Sequence, residues 1–235
     1  MVKINLNIKK KLLHANKSLS SAVAVINSQS DYWFWWGRSL PPRDRYLFDV
    51  ERAILFLEDR RFVSHYGAEL RMIPRLIRRI LMGKRLGGIS TIDQQVVRIV
   101  RSRYERTIQR KVGELTLATL LNAHLPKHRI FHYYIHFAYL GYRMEGVEVA
   151  SRKLFSKRAA NLSPNEACLV AALFARPVPK SVVLKVDSNL RSYSPEELFE
   201  IAKVSGSEKW AEKTKARYEY ALKNYARIPN SLFIK

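Results

Sequence analysis

Glu58 is followed at once by Asp59, Arg60 and Arg61, and Glu114 closes the run Arg110-Lys111-Val112-Gly113. A carboxylate near the exit of an apolar helix is partly desolvated, which suits a group that must accept a proton. Arginine presents a planar fork of donors that grips paired phosphate oxygens. These are residue types that proton transfer and the binding of a polyanion would use. Each also has an ordinary reading. Glu58 could be an exposed helical carboxylate paired with Arg60 or Arg61, Glu114 could be surface charge, and any one arginine could be a solvated cation.

The elements that must position these groups read as helices. Asp49 can cap a helix whose apolar positions Val50, Ala53, Ile54 and Leu57 recur at helical spacing, with Gly67 as its expected end. That places Glu58 near the exit of a buried helix. Over 69–85, Leu70, Ile73, Ile77, Ile80 and Leu81 alternate with Arg71, Arg75, Arg78, Arg79 and Lys84, a basic amphipathic segment started or kinked by Pro74. Such a segment lies readily on an anionic membrane, and equally suits a core helix with a solvated basic face.

Gly87-Gly88 breaks that pattern, and Ser90 with Asp93 is the expected capping pair of a helix reaching about Val100. Further helices are expected over 106–124 and 127–140, separated by Pro126, and from Ser163 to about Ala175. Two more are expected from Ser194 and over 208–227. Ser163 and Ser194 each precede Pro and stand three residues before a Glu, which together satisfy the first orphan N–H groups of a helix. Alternating strand patterns are scarce, so the expected class is mainly α.

The 235 residues are 47% hydrophobic, enough for one sizeable core, and carry a formal charge of +22. That charge points to a polyanionic partner: nucleic acid, anionic lipid head groups or a diphosphate. The single cysteine, Cys168, excludes an intrachain disulfide and reads as a small buried hydrophobe in an Ala- and Leu-rich run. No stretch has the roughly 18 to 20 consecutive apolar residues of a spanning helix, and neither a signal peptide nor a membrane span is expected. The aromatic cluster Tyr32 to Trp36 suits core packing or an interfacial anchor.

Four segments in order resemble the peptidoglycan glycosyltransferases of glycosyltransferase family 51. The first is Glu58-Asp59-Arg60-Arg61-Phe62 with His65 and Gly67. The second, Gly87-Gly88-Ile89-Ser90-Thr91-Ile92-Asp93-Gln94-Gln95, is similar to the family's Gly-Gly-Ser-Thr-Ile-Thr-Gln-Gln motif with one additional residue and Asp93 for Thr. The third is Arg110-Lys111-Val112-Gly113-Glu114. The fourth runs from Gly141 through Gly146-Val147-Glu148 and Ala150 to Leu154-Phe155-Ser156-Lys157. Leu162 to Ala167 and the Pro177 region resemble the family's closing helix. One such motif would be weak evidence, and four in order are specific.

The resemblance implies an enzyme that polymerises lipid II into glycan strands with inversion, releasing undecaprenyl diphosphate. It implies Glu58 as general base and Glu114 as the second acidic position of the catalytic pair, which orients the donor side. Arg61, Phe62, Ser90, Thr91, Gln94, Gln95, Arg98, Arg106, Arg110 and Lys111 are the implied substrate- or diphosphate-binding positions. A divalent cation, Mg or Mn, is the one cofactor it leaves room for, with Glu114 as candidate ligand. Leu76, Ile77, Ile80 and Leu81 would face the membrane. The implied partners are lipid II and the nascent glycan chain, an anionic membrane surface and cell-wall synthesis proteins.

The implied architecture is a lysozyme-like helical lobe with a smaller membrane-facing amphipathic lobe. The expected organisation is a basic and aromatic lead-in over 1–48, a glycosyltransferase domain over 49–182 and a helical extension over 183–235. The implied location is membrane-associated, at the outer face of the cytoplasmic membrane. The pattern departs from the family at Arg98 for Lys, Ile99 for Asn, Gly113 for Lys and at His136-Phe137. Two other classes follow: a non-catalytic family member that binds lipid II or scaffolds wall synthesis, and a basic nucleic-acid-binding protein. The second rests on charge and aromatics alone, without zinc-ligand spacing or an RNA-recognition signature.

Overall fold

The first helix after the lead-in, α2 (Asp49–Glu58), opens where the Phe48 N–H is taken by the Glu51 carboxylate at 2.9 Å. Asp49, the expected cap, is instead its first residue. Its carboxylate is turned aside to Arg52 at 3.3 Å and to the Tyr225 hydroxyl. The helix also ends earlier than Gly67, because the backbone becomes extended at Asp59 and a short 3-10 turn, Phe62–Ser64, follows. The structure, a computed structural model, describes residues 6–28, 47–69, 74, 78, 81–82, 90–102, 107–187 and 191–227.

The chain divides into two compact units. One is built from residues 1–40 and 64–133, the other from 41–63 and 134–234. Both are mainly α, as the periodicity predicts.

The second unit is organised around α7 (Pro164–Leu173), opened by the expected capping box. Ser163 Oγ accepts the Glu166 N–H, and the Glu166 carboxylate takes the Ser163 N–H at 2.8 Å. Every residue from Ala167 to Leu173 is buried. A helix apolar on all sides must be enclosed, and this one is packed by α2, by α6 (Val147–Phe155), by α9 (Pro195–Val204) and by α10 (Glu208–Asn224). Each large side chain it buries, such as Leu169, stabilises the fold by roughly 1.5–3 kcal/mol. Helix α8 (Lys180–Asp187) contributes Val182, Val183 and Val186 to the same core. Helices α9 and α10, in the region expected as an extension, are therefore parts of this unit.

In the first unit, α1 (Leu6–Ser28) lies within the stretch expected as a lead-in. It presents buried Leu19, Ala22 and Ile26 at three- and four-residue spacing and packs on α3 (Ile92–Arg101) and α4 (Ile108–His124). Helix α3 is capped by Thr91, whose hydroxyl oxygen accepts the Gln94 N–H at 3.3 Å, one residue later than the expected Ser90. Asp93 does not reach back to complete a capping pair, because its carboxylate is engaged elsewhere in the interior.

Helix α5 (Lys127–Phe137) stops before Leu140. Residues 139–141 form β1 instead, an edge paired antiparallel with β2 (Met144–Glu145), in register Tyr139 with Glu145 and Gly141 with Met144. Among the described residues no helix is long and apolar enough to cross a membrane. The expected amphipathic lobe, with Leu76, Ile77 and Ile80, lies outside the described residues. Leu81 is described, and it is 81% exposed.

Candidate active site

Glu114 stands on α4, one turn after Arg110 and three residues after Lys111, so helix geometry brings all three to one face. Its side chain is 2% exposed. Arg98 reaches it from α3 as a two-pronged pair, Nε to Oε1 at 2.9 Å and Nη2 to Oε2 at 3.2 Å. Arg110 also donates to Oε1, and Lys111 Nζ lies 4.0 Å from Oε2. The Lys111 ammonium is shared with Ser90 Oγ at 2.7 Å and Gln94 Oε1 at 2.6 Å. Burial lowers the Lys111 ammonium to a pKa of about 8, with Glu114 opposing the shift and Arg98 and Arg110 reinforcing it.

One buried carboxylate thus neutralises part of a group of three cations, of which Lys111 is buried and Arg98 and Arg110 are half-buried. The surplus positive charge is what an oxyanion needs, and each cation already has its geometry fixed. The same set does not fit a divalent cation. Both Glu114 oxygens already accept hydrogen bonds from guanidinium groups, and three cations beside them would repel a metal ion.

Behind this cluster, Asp93 is fully buried on α3. Lys127, the first residue of α5, donates to both its oxygens at 3.0 Å, and Asn122 Nδ2 donates to Oδ1 at 2.7 Å. His65 Nδ1 lies 4.0 Å from Oδ2. Burial pushes the Asp93 carboxyl up, against the opposing pull of Lys127, His65 and Asn122. The departure from Thr at this position is thus matched by a cation and an amide that tie α3 to α4 and α5.

In the other unit, Glu58 ends α2 with its side chain 10% exposed, so it is partly desolvated as expected. Its carboxylate is held from a distant helix. Arg217 of α10 donates from Nη2 to Glu58 Oε1 at 2.6 Å and to the Leu57 carbonyl at 3.1 Å. Arg60 turns away, lying 4.0 Å over the Phe56 ring and donating to the Tyr220 hydroxyl. Sequence reasoning misses Arg217, because it sits in a charged helix outside every recognised motif.

The remaining expected positions divide by burial. Phe62 is 1% exposed, a core ring and not a contact surface. Thr91 is buried too, and its hydroxyl donates to the Gly67 carbonyl at 2.7 Å, a structural use. Gln94 is buried against Lys111, Gln95 is half-buried, and Arg61 is exposed. Arg106 lies outside the described residues. Over Gly113 the nearest group is Arg101 Nη1, which a Cβ there would meet at 3.7 Å. His136 is held below the usual imidazole range by burial. Cys168 is fully buried and its thiol is pushed up to about 12, so it stays protonated and inert.

Residues 37–192 match the family described as Transglycosylase. A biosynthetic peptidoglycan transglycosylase of Alcanivorax borkumensis is 36% identical over 129 residues, covering 54% of this chain and 53% of that protein. One from Haemophilus influenzae is 37% identical over 131 residues, 55% of this chain and 53% of its own length. Penicillin-binding protein 1F of Bacillus subtilis is 30% identical over 141 residues, 60% of this chain and 20% of that protein. The matched part therefore spans about half of the two transglycosylases and a fifth of the longer protein.

Proposed function

This chain belongs to the transglycosylase family, and from that premise we propose that it polymerises lipid II into glycan strands. The acceptor is the 4-hydroxyl of lipid II, and the donor is the growing strand on undecaprenyl diphosphate. The acceptor oxygen attacks the donor's anomeric carbon and inverts it. The bond from that carbon to the diphosphate breaks, and the acceptor's proton passes to the Glu58 carboxylate. Arg98, Arg110 and Lys111 stabilise the departing diphosphate, and Glu114 holds those cations in place.

The observation that carries this reading is the buried Glu114 cluster, which supplies preorganised positive charge at a segment matching the family. Fixed charge aimed at a developing anion usually lowers a reaction barrier more than any other single effect. No step is assigned to a metal ion.

The test is incubation of the full chain with lipid II in detergent, beside Glu58→Gln. Polymer from the unaltered chain and none from the variant, with lipid II binding retained in both, is the expected result. Turnover by Glu58→Gln removes the base assignment. Binding without polymer from the unaltered chain replaces the enzyme with a lipid II-binding protein.

The basic amphipathic segment supports placement on an anionic membrane surface at the outer face of the cytoplasmic membrane, with head-group contacts from its arginines. Replacing Leu76 and Ile77 by Ser should then weaken binding to phosphatidylglycerol vesicles, and unchanged binding would return the segment to an ordinary core role.

A further inference from the structure

We infer that Arg217 is a positioning residue for Glu58, so that α10, beyond the matched family segment, is a working part of the site. The inference rests on the reading of Glu58 as general base. Its structural ground is a row of contacts that runs antiparallel along α2 and α10. At one end the Tyr225 hydroxyl meets Asp49, and Arg52 Nη1 donates to that hydroxyl at 3.1 Å. In the middle the Tyr220 ring stacks on Phe56 at 5.8 Å between centroids, with Arg60 against both rings. At the far end Arg217 takes hold of Leu57 and Glu58.

The first two contacts dock α10 on α2, and the third brings the Arg217 guanidinium to the Glu58 carboxylate. Its Nη2 bridges the carbonyl of the last helical turn and Oε1 of the carboxylate, so the side chain is tied to the backbone that carries it. A general base works only when its accepting oxygen is aimed at the proton it removes. Holding one oxygen of Glu58 sets the plane of the carboxylate and so the direction of the other.

The experiment compares the full chain with Arg217→Met, Arg217→Ala, Arg217→Lys and Tyr225→Phe, reading lipid II polymerisation, lipid II affinity and Tm. Arg217→Met should lower kcat by about 10- to 100-fold with KM and lipid II affinity unchanged. Arg217→Lys should recover part of the loss, and ethylguanidinium added to Arg217→Ala should recover more. Tyr225→Phe, which loosens the other end of the same helix, should lower Tm and leave kcat alone.

Full turnover by Arg217→Met overturns the inference, as does an equal fall in kcat for Tyr225→Phe, which would make Arg217 one more docking contact. Glu58→Gln run in parallel separates the two levels. If it retains turnover, the base reading fails and this inference with it. If it is inactive while Arg217→Met is fully active, only the inference fails. An unaltered chain that makes no polymer removes both.

Discussion

Lys127 places its ammonium 3.0 Å from each carboxylate oxygen of Asp93, in an interior where neither side chain is more than 8% exposed. Removing one partner of such a pair leaves an uncompensated buried charge, which costs about 3–5 kcal/mol. Lys127→Met should therefore destabilise by that amount, and Asp93→Leu combined with Lys127→Met should recover most of it. The pH dependence has a definite sign. Asp93 is raised in the folded chain by burial, so its stabilising contribution is complete below about 3.9 and is lost as pH rises through the folded value. Lys127→Met removes the main opposing pull and widens that window upward. Urea unfolding at pH 5 and pH 7.5 should show the variant more strongly destabilised at the higher pH, and an equal loss at both would mean that Asp93 is not ionised in the parent.

Lys111 gives a second pH signature, in the alkaline range. Its folded value of about 8 lies below the unfolded one of about 10.4, so the folded chain gains stability as pH rises between them. Binding of a diphosphate needs the charged ammonium and must change in the opposite direction. Affinity for inorganic pyrophosphate should fall on the order of tenfold between pH 7 and 9, following the fraction of Lys111 that keeps its proton. Lys111→Arg should flatten that profile, since guanidinium stays charged throughout. Calorimetric titration at the two pH values checks it, and an unchanged slope in Lys111→Arg would assign the pH dependence to another group.

The parts of this architecture that sequence reveals are those with local causes. The Ser163-to-Glu166 and Ser194-to-Glu197 boxes are closed within one helical turn, so both helix starts are legible. Glu114 with Arg110 and Lys111 is a matter of helical spacing, and it too can be read directly. Arg98 joins that carboxylate across sixteen positions, and only the motif order points to it. Arg217 meets Glu58 across 159 positions from a helix whose composition is that of a solvated surface. Nothing local marks it. Helix α1, within the expected lead-in, is hard to read for a related reason: it is polar at Ser20, Ser21 and Asn27, and its narrow apolar stripe of Leu19, Ala22 and Ile26 acquires meaning only against α3 and α4.

Gly113 sits in the interior of α4, where glycine costs about 0.8–1 kcal/mol relative to alanine. The space for a methyl group is present, because its nearest neighbour would be the flexible Arg101 guanidinium at an ordinary van der Waals distance of 3.7 Å. Gly113→Ala should raise stability by about 0.5–1 kcal/mol, a gain in Tm of roughly 1–4 °C for a chain of this size. Thermal unfolding followed by circular dichroism is sufficient, and a lowered Tm would mean that Arg101 is held too firmly to yield.

Gly67 should respond in the opposite way, for two independent reasons. Its φ of +76° is in the left-handed region that a side chain resists, at about 1–2 kcal/mol. A Cβ there would also collide with the Ala118 carbonyl and stand 2.7 Å from the Thr119 nitrogen, both backbone atoms of α4 that cannot swing aside. The Gly67 carbonyl is in turn held by the Thr91 hydroxyl at 2.7 Å, so a displaced Gly67 pulls on the cap of α3 and on the Gln94 and Ser90 contacts that hold Lys111. Gly67→Ala should therefore cost more than about 2 kcal/mol and weaken pyrophosphate binding as well. Thr91→Ala should reproduce a smaller part of the same effect, about 1 kcal/mol, by removing the cap alone. If Gly67→Ala lowers stability but leaves pyrophosphate affinity at the parental value, the route from this turn to Lys111 through Thr91 is refuted, and the glycine serves only the packing of its turn against α4.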